Sequence, residues 1–325
     1  MNAYRTFVAV TLVLAFCVIV LGAYTRLSDA GLGCPDWPTC YGHLTVPDSP
    51  EAVEQKYYLD QRPLEPAKGR AEMVHRYFAG TLGLFILVIA LWSWRLRRGD
   101  PGQPLLLPLV LLGVVIFQAL LGMWTVTLLL KPLVVMGHLL GGFSTLGLLF
   151  LLLRITGRLE YFGPCGRGLA AMALLVLVVQ IALGGWTSTN YAALSCTDFP
   201  TCQGSYWPEM DFSEAFVVWR GLGINYEYGV LEHPARAAIH VIHRLGALTT
   251  LLMVGGFALS LLGRGGALRR AGITVLLVLV LQVGLGIGNV LLHLPLLVAV
   301  AHNAVAALLL LSLINASYLL WRRHY

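Results

Sequence analysis

Charge is what this sequence has least of. Asp, Glu, Lys and Arg make up 12% of its 325 residues, against 58% hydrophobic residues. So few charges cannot cover the surface of a water-soluble domain of this length, so that class is excluded. There is also no basic patch interleaved with aromatics, which excludes a nucleic-acid partner. The first apolar run has one early charge, Arg5, and no small-x-small cleavage site before it continues into "GAYTRLSDAG". It therefore reads as a retained span and not as a signal peptide.

In place of charge there are long apolar runs. Eight of them reach the length a bilayer-crossing helix needs. They run near 5–25, 73–94, 104–127, 132–153, 168–189, 236–262, 270–291 and 296–320. The expected fold is an all-α integral membrane protein with eight transmembrane helices. Acids are nearly missing from one set of connections. Of 16 Asp and Glu, only Asp100 and Glu160 fall there, beside Arg95, Arg97, Arg98, Arg154, Arg158, Arg167, Arg264, Arg269 and Arg270. Arg5, Arg322 and Arg323 place both termini on that same side. Positive loops stay inside, so the expectation is a polytopic membrane protein with cytoplasmic termini. The long loops, about 26–72 and 190–235, then face outside, and the net charge of +6 reflects topology.

The chain is duplicated. "LGAYTRLSDAGLGCPDWPTCYG" (21–42) matches "LGGWTSTNYAALSCTDFPTCQG" (183–204), and "VHRYFAGTLGL" (74–84) matches "IHRLGALTTLL" (242–252). Gln118 precedes His138, and Gln282 precedes His302, by 20 residues each. The expected organisation is two pseudo-symmetric four-helix bundles, residues 1–160 and 161–325, related as a parallel tandem repeat. "QALLGMWT", "QIALGGWT" and "QVGLGIGN" set Gln four residues before Gly, and "VIVLGAYT" has Val18 in place of the Gln. Such glycines permit close helix approach or leave room for a flat ligand. Gly-rich faces also permit an oligomer.

Four histidines occupy matched places inside predicted spans: His75, His138, His243 and His302. An ionisable residue inside a membrane helix is costly and points to function. Zinc wants three or four protein ligands, whereas each half offers two imidazoles. Two imidazoles suit haem, whose porphyrin supplies the other four donors. The expectation is one haem pocket per half, His75 with His138 and His243 with His302, both near the outer surface. Arg76 and Arg244, next to two of these ligands, are candidate propionate contacts.

The halves differ at one informative place. Glu72 stands three residues before His75, and His240 three before His243, on the same helix face as the ligand. A carboxylate there can act as a base. The N-terminal half therefore has reaction chemistry, and the C-terminal half reads as a plain cofactor site. As a first-turn residue, Glu72 would instead serve the helix dipole.

With E-x-x-H-R, H-x-x-H-R, the two single histidines and a cysteine pair in the outer loop, the whole chain resembles the haem A synthase family. The resemblance implies an enzyme that oxidises a methyl group of haem O to a formyl group, giving haem A for terminal oxidases. It implies a substrate site of Glu72, His75 and His138 in the first half. In the second half it implies haem b as cofactor, ligated by His243 and His302. Haem O is the implied substrate, with haem O synthase and an electron donor as further partners. A di-haem b-type electron-transfer cytochrome without haem-modifying activity, or a haem carrier, stays open as an alternative. All four histidines on one side of the bilayer disfavour transmembrane electron transfer.

Cys34, Cys40, Cys196 and Cys202 fall on the oxidising side, and each C-x5-C pair is expected to close as a local disulfide. Each would cap its half's pocket, or the first pair would exchange electrons. A zinc knuckle would need His43 as a further ligand. Cys17 and Cys165 read as free thiols. The segments 51–60 and 212–222 read as interfacial helices. His43, His233, His240 and His293 carry no assigned role at this point.

Overall fold

The computed structural model describes residues 3–157 and 166–321. Cys165, Arg158, Glu160, Arg322 and Arg323 lie outside the described residues. Among the described residues the chain is helical and forms no strand, only two isolated bridges, Cys40 with His43 and Cys202 with Ser205. Eight helices are long and apolar enough to cross a membrane. They are α1 (Ala3–Leu27), α3 (Pro66–Arg97), α4 (Leu106–Thr127), α5 (Pro132–Ile155), α6 (Arg167–Thr189), α8 (His233–Leu262), α9 (Gly266–Leu291) and α10 (Leu296–Trp321). Two short ones, α2 (Tyr57–Gln61) and α7 (Phe212–Ala215), lie in the long loops. A helix is the fold such sequences must take, because hydrocarbon offers backbone N–H and C=O groups no other partner.

The spans follow the apolar runs, with one consequential difference. Helix α3 begins at Pro66, not near residue 73, and α8 begins at His233. Each has a proline in its first two positions, where the missing N–H costs nothing. The extra turns are polar, so hydropathy alone does not register them. Glu72 is thereby carried past the first turn of α3, and the helix dipole does not account for it.

The interfacial helices are shorter than expected. Segment 51–60 holds one 3-10 turn, Pro50–Ala52, and the start of α2. In 212–222 only Phe212–Ala215 is helical, started by Asp211, whose carboxylate accepts from the Ser213 and Glu214 amides. β-Branched Val217 and Val218 and the left-handed Gly221 (φ +85°) do not carry a helix onward.

Two compact units result: Met1–Leu149 with Val218–Val230, and Phe150–Val217 with Leu231–Tyr325. In the first, α1 packs on α3 and α3 on α4. The α1 seam, Tyr4, Val8, Thr11, Ala15 and Ile19, recurs every three or four residues as one helix face requires. Segment 218–230 closes this unit. The Tyr226 amide donates to the Leu129 carbonyl at 3.0 Å. Arg62 holds Glu227 through two bonds of 2.9 and 2.7 Å. In the second unit α8 packs on both α6 and α9, and α10 on α9 and α6. Large apolar side chains such as Val13, Leu84, Leu175 and Leu277 stay exposed on the spans, which is the face a bilayer covers.

Each unit turns one helix pair with two left-handed residues before a proline. Leu129 and Leu130 (φ +49° and +59°) lead into α5, and His293 and Leu294 (φ +56° and +62°) into α10. His293 is thus an exposed turn residue. Where α9 meets α8, a Cβ at Gly272 would lie 2.7 Å from the Ala258 carbonyl oxygen. Gly272→Leu is therefore expected to cost about 1–3 kcal/mol. The check is the thermal midpoint of the detergent-solubilised protein, which falls; an unchanged midpoint would mean that this crossing is loose.

Candidate functional site

In the first unit His75 on α3 and His138 on α5 face one another. Their ring centroids are 6.3 Å apart and their planes nearly perpendicular, at 86°. Metal–imidazole bonds run about 2.0–2.1 Å, so two rings sharing one ion stand about 6 Å apart. Both residues are half-buried, and the Nδ1 atoms of His75 and His138 are buried with no hydrogen-bond partner. A buried polar atom left unpaired is costly, and an electron-accepting centre between the rings removes that cost. In the second unit His302 stands within electrostatic reach of His243, and Nδ1 of His302 is again buried and unpaired. These four imidazoles fit two axial ligand pairs. Among the described residues no group of three or more His, Cys, Asp or Glu could hold a metal ion.

One feature of the preceding helix recurs at each imidazole. A Cβ at Gly22, Gly122, Gly184 or Gly286 would meet the Cε1 atom of His75, His138, His243 or His302 at 2.9, 3.4, 3.3 and 3.1 Å respectively. The glycine four residues after the Gln register is therefore the floor on which the ring lies. The Gln side chains themselves reach the histidines. Gln118 Nε2 donates to the His138 carbonyl at 2.8 Å. Gln180 Nε2 donates to the His243 carbonyl at 3.0 Å and lies 3.1 Å from its Nδ1. Gln282 Nε2 lies 3.3 Å from His302 Nε2.

Glu72 is buried, with 4% of its surface exposed. Its carboxylate accepts from the Cys34 amide at 3.0 Å and from the Arg76 guanidinium. A single carboxylate thus joins the cysteine loop to the helix that carries His75. His240, its counterpart, is equally buried and has no such anion. Arg76 also donates to the carbonyls of Asp36, Pro38 and Thr39, at 3.0, 3.3 and 2.7 Å. Arg244 repeats this with Cys196, Asp198 and Thr201, at 3.1, 2.9 and 2.7 Å. Each arginine is a peg that pins its cysteine loop to the helix carrying the candidate ligand.

Both cysteine pairs form disulfides, Cys34–Cys40 and Cys196–Cys202, with Cα atoms 4.8 and 4.6 Å apart. Each bridge is buried, the first against Tyr41, Val53 and Met73 and the second against Val241. Cys17 is a free, exposed cysteine. Close docking of the first loop demands glycine at position 33, where a Cβ would come 2.6 Å from the Lys68 backbone. His43 serves the loop through its backbone, pairing with Cys40 at 2.8 and 3.1 Å. His233 meets the Gln203 amide at 2.5 Å.

Two residues that the sequence reading passed over organise these loops. Asp36 accepts from the Thr39 hydroxyl at 2.5 Å and from the Tyr41 and Gly42 amides at 2.6 and 3.0 Å. Asp198 does the same with Thr201, Gln203 and Gly204, at 2.5, 2.6 and 2.9 Å. The signal was available: D-x-P-T-C occurs in both loops. These bonds, led by the Thr201 hydroxyl, hold the Asp198 carboxyl down to about 2, from the usual 3.8. A carboxyl with a lowered folded pKa stabilises the loop above its unfolded value, and that contribution is lost as pH falls through the folded one. Reduction of Cys196–Cys202 by a phosphine is therefore expected to speed up between about pH 4 and pH 2. Asp198→Asn should already be fast at neutral pH. Equal rates in both proteins at pH 7 would contradict the assignment.

Comparison with known proteins finds relatives along nearly the whole chain. The sequence model of the COX15-CtaA family, described as cytochrome oxidase assembly protein, matches residues 5–314. A protein of Shewanella oneidensis named Heme A synthase is 46% identical over 322 residues, 97% of this chain and 96% of its own. One of the same name from Agrobacterium fabrum is 30% identical over 94% of this chain and 87% of its own. Another from Caulobacter vibrioides is 28% identical over 91% and 90%.

Proposed function

The chain belongs to the COX15-CtaA family of cytochrome oxidase assembly proteins, and from that premise we propose that it is a haem A synthase acting on haem O. The observation that carries the reading furthest is the pairing of two imidazoles, each with a buried and unpaired ring nitrogen, on the helix pair that also carries a buried carboxylate. In this reading residues 1–160 hold the substrate site and residues 161–325 the haem b site. The reaction oxidises a methyl substituent of haem O to a formyl group.

His75 and His138 orient the substrate, haem O, by holding its iron from both faces. Glu72 stands one helical turn from His75 on the same face. Its carboxylate takes up a proton or stabilises positive charge that develops at the substrate edge. The Arg76 guanidinium and the Cys34 amide fix where its oxygens point. Donors of Arg76 and Arg244 beyond those used on the loop carbonyls are available to propionates. The disulfide loops cover the outer end of each site and keep water from it. His243 and His302 hold haem b, which when bound relays electrons one at a time. Low charge, eight spans and the arginine-rich connections support an inner-membrane protein with cytoplasmic termini and periplasmic loops. An electron donor and haem O synthase are its expected partners.

Glu72→Gln keeps an acceptor for the Cys34 amide and removes the base. Haem A formation is expected to fall by about 10²–10⁴-fold, read by chromatography of extracted haems, while bound haem b is unchanged. An electron carrier would be indifferent to this change, so full haem A production in the variant would defeat the enzymatic role of Glu72. His243→Ala and His302→Ala are expected to lose haem b from the purified protein and leave the His75–His138 site able to bind haem O. Retention of haem b by both variants would rule out this ligand pair.

A further inference from the structure

The proposed site leaves three buried amides unexplained. Gln118, Gln180 and Gln282 each have an Oε1 atom that is buried and unpaired. Each lies on the helix before a candidate ligand, and each reaches that ligand's backbone or ring with its Nε2 atom. The first two are seated against glycine, and a Cβ at Gly141 or Gly246 would collide with the Oε1 atom of Gln118 or Gln180. A Gln buried in an apolar bundle is costly when half its bonding capacity is unmet. Helix packing alone would be served better by leucine.

The rings answer in kind. His138 and His302 stand within reach of the backbone of Gln118 and Gln282 respectively, so histidine and glutamine bracket one another across the helix pair. His75 stands within reach of the Val18 backbone in the same register, but valine offers no amide in return. The pattern is three brackets with a side-chain amide and one without. An imidazole that gives one nitrogen to iron must carry its proton on the other, and that N–H needs an acceptor. A glutamine amide carries an acceptor oxygen as well as its N–H groups, and the Gln180 amide stands 3.1 Å from Nδ1 of His243 and the Gln282 amide 3.3 Å from Nε2 of His302, while the Gln118 amide holds the His138 main chain. At His75 the same register has a valine and no amide.

We propose that Gln118, Gln180 and Gln282 are positioning residues that hold three axial histidines in place, and that Val18 leaves His75 the least restrained of the four. This rests on the haem-binding reading above and deepens it. Both ligands of the resident cofactor are clamped, whereas the substrate site pairs a clamped ligand with a free one. A site that must admit haem O and release its product gains from one ligand that yields.

The test uses the full-length protein in detergent with its haems bound. Carbon monoxide displaces an axial imidazole from ferrous haem, so its binding reads how firmly that ligand is held. Gln180→Leu and Gln282→Leu preserve volume and remove the amide. Each is expected to raise carbon monoxide affinity at the C-terminal haem by about 10–100-fold, the usual weight of an outer-shell partner. Each should also shift that haem's midpoint potential and low-spin electron paramagnetic resonance signal, with haem content unchanged. Val18→Leu alters packing at a register with no amide, and should leave the N-terminal haem's spectrum and carbon monoxide binding as they were. Unchanged affinity and potential in both Gln variants would overturn the proposal, and so would an equal effect from Val18→Leu. If wild-type protein holds no haem through His243 and His302, the site assignment itself has failed, which the haem content of the alanine variants reports separately.

Discussion

Everything in this structure depends on how buried imidazole is tolerated inside a bundle made for lipid. Hydrocarbon cannot satisfy a ring nitrogen, and a polar group left unpaired there is expensive. Four histidines nevertheless stand half-buried in spans, and three of them keep a buried nitrogen with no partner in the protein. Around each, a glycine on the preceding helix opens the space the ring occupies. The bundle accommodates its histidines at the cost of packing, and an iron porphyrin between the rings would satisfy both nitrogen and space.

The same economy shapes the long loops. A disulfide closes each loop, an aspartate folds it from within, and an arginine from the ligand helix donates to its carbonyls. Loop and histidine-bearing helix are therefore mechanically one piece in each unit. In the first unit Glu72 adds a further tie through the Cys34 amide. Any movement of the cysteine loop is transmitted to the carboxylate beside His75. The corresponding place in the second unit is held by His240, which cannot provide that anion. The chemical difference between the units thus sits on a shared scaffold.

Much of this was legible in the sequence, for identifiable reasons. A span of 18 or more apolar residues is a long signal, so all eight helices were visible. The histidines stood out because a duplicated chain shows the same residue twice in register, and the cysteine pairs stood out for the same reason. Helix starts were less visible: the polar turns 66–72 are helical because of Pro66 and good helix formers, which hydropathy does not weigh. The interfacial helices were over-read, since apolar and charged residues mix over ten residues in turns as readily as in helices. The arginine pegs and the docking of 218–230 onto the first unit depend on chain segments far apart in sequence, and no local pattern announces them. Asp36 and Asp198 were missed although D-x-P-T-C appears twice.

The central claim is that each imidazole pair grips an iron macrocycle. Anomalous X-ray scattering at the iron edge, from crystals of the protein as purified, tests this without reference to activity. The account predicts an iron peak between the rings of His243 and His302, and a second between His75 and His138 when haem O is supplied. Iron located away from both pairs, or bound by one histidine with its partner turned aside, would contradict it.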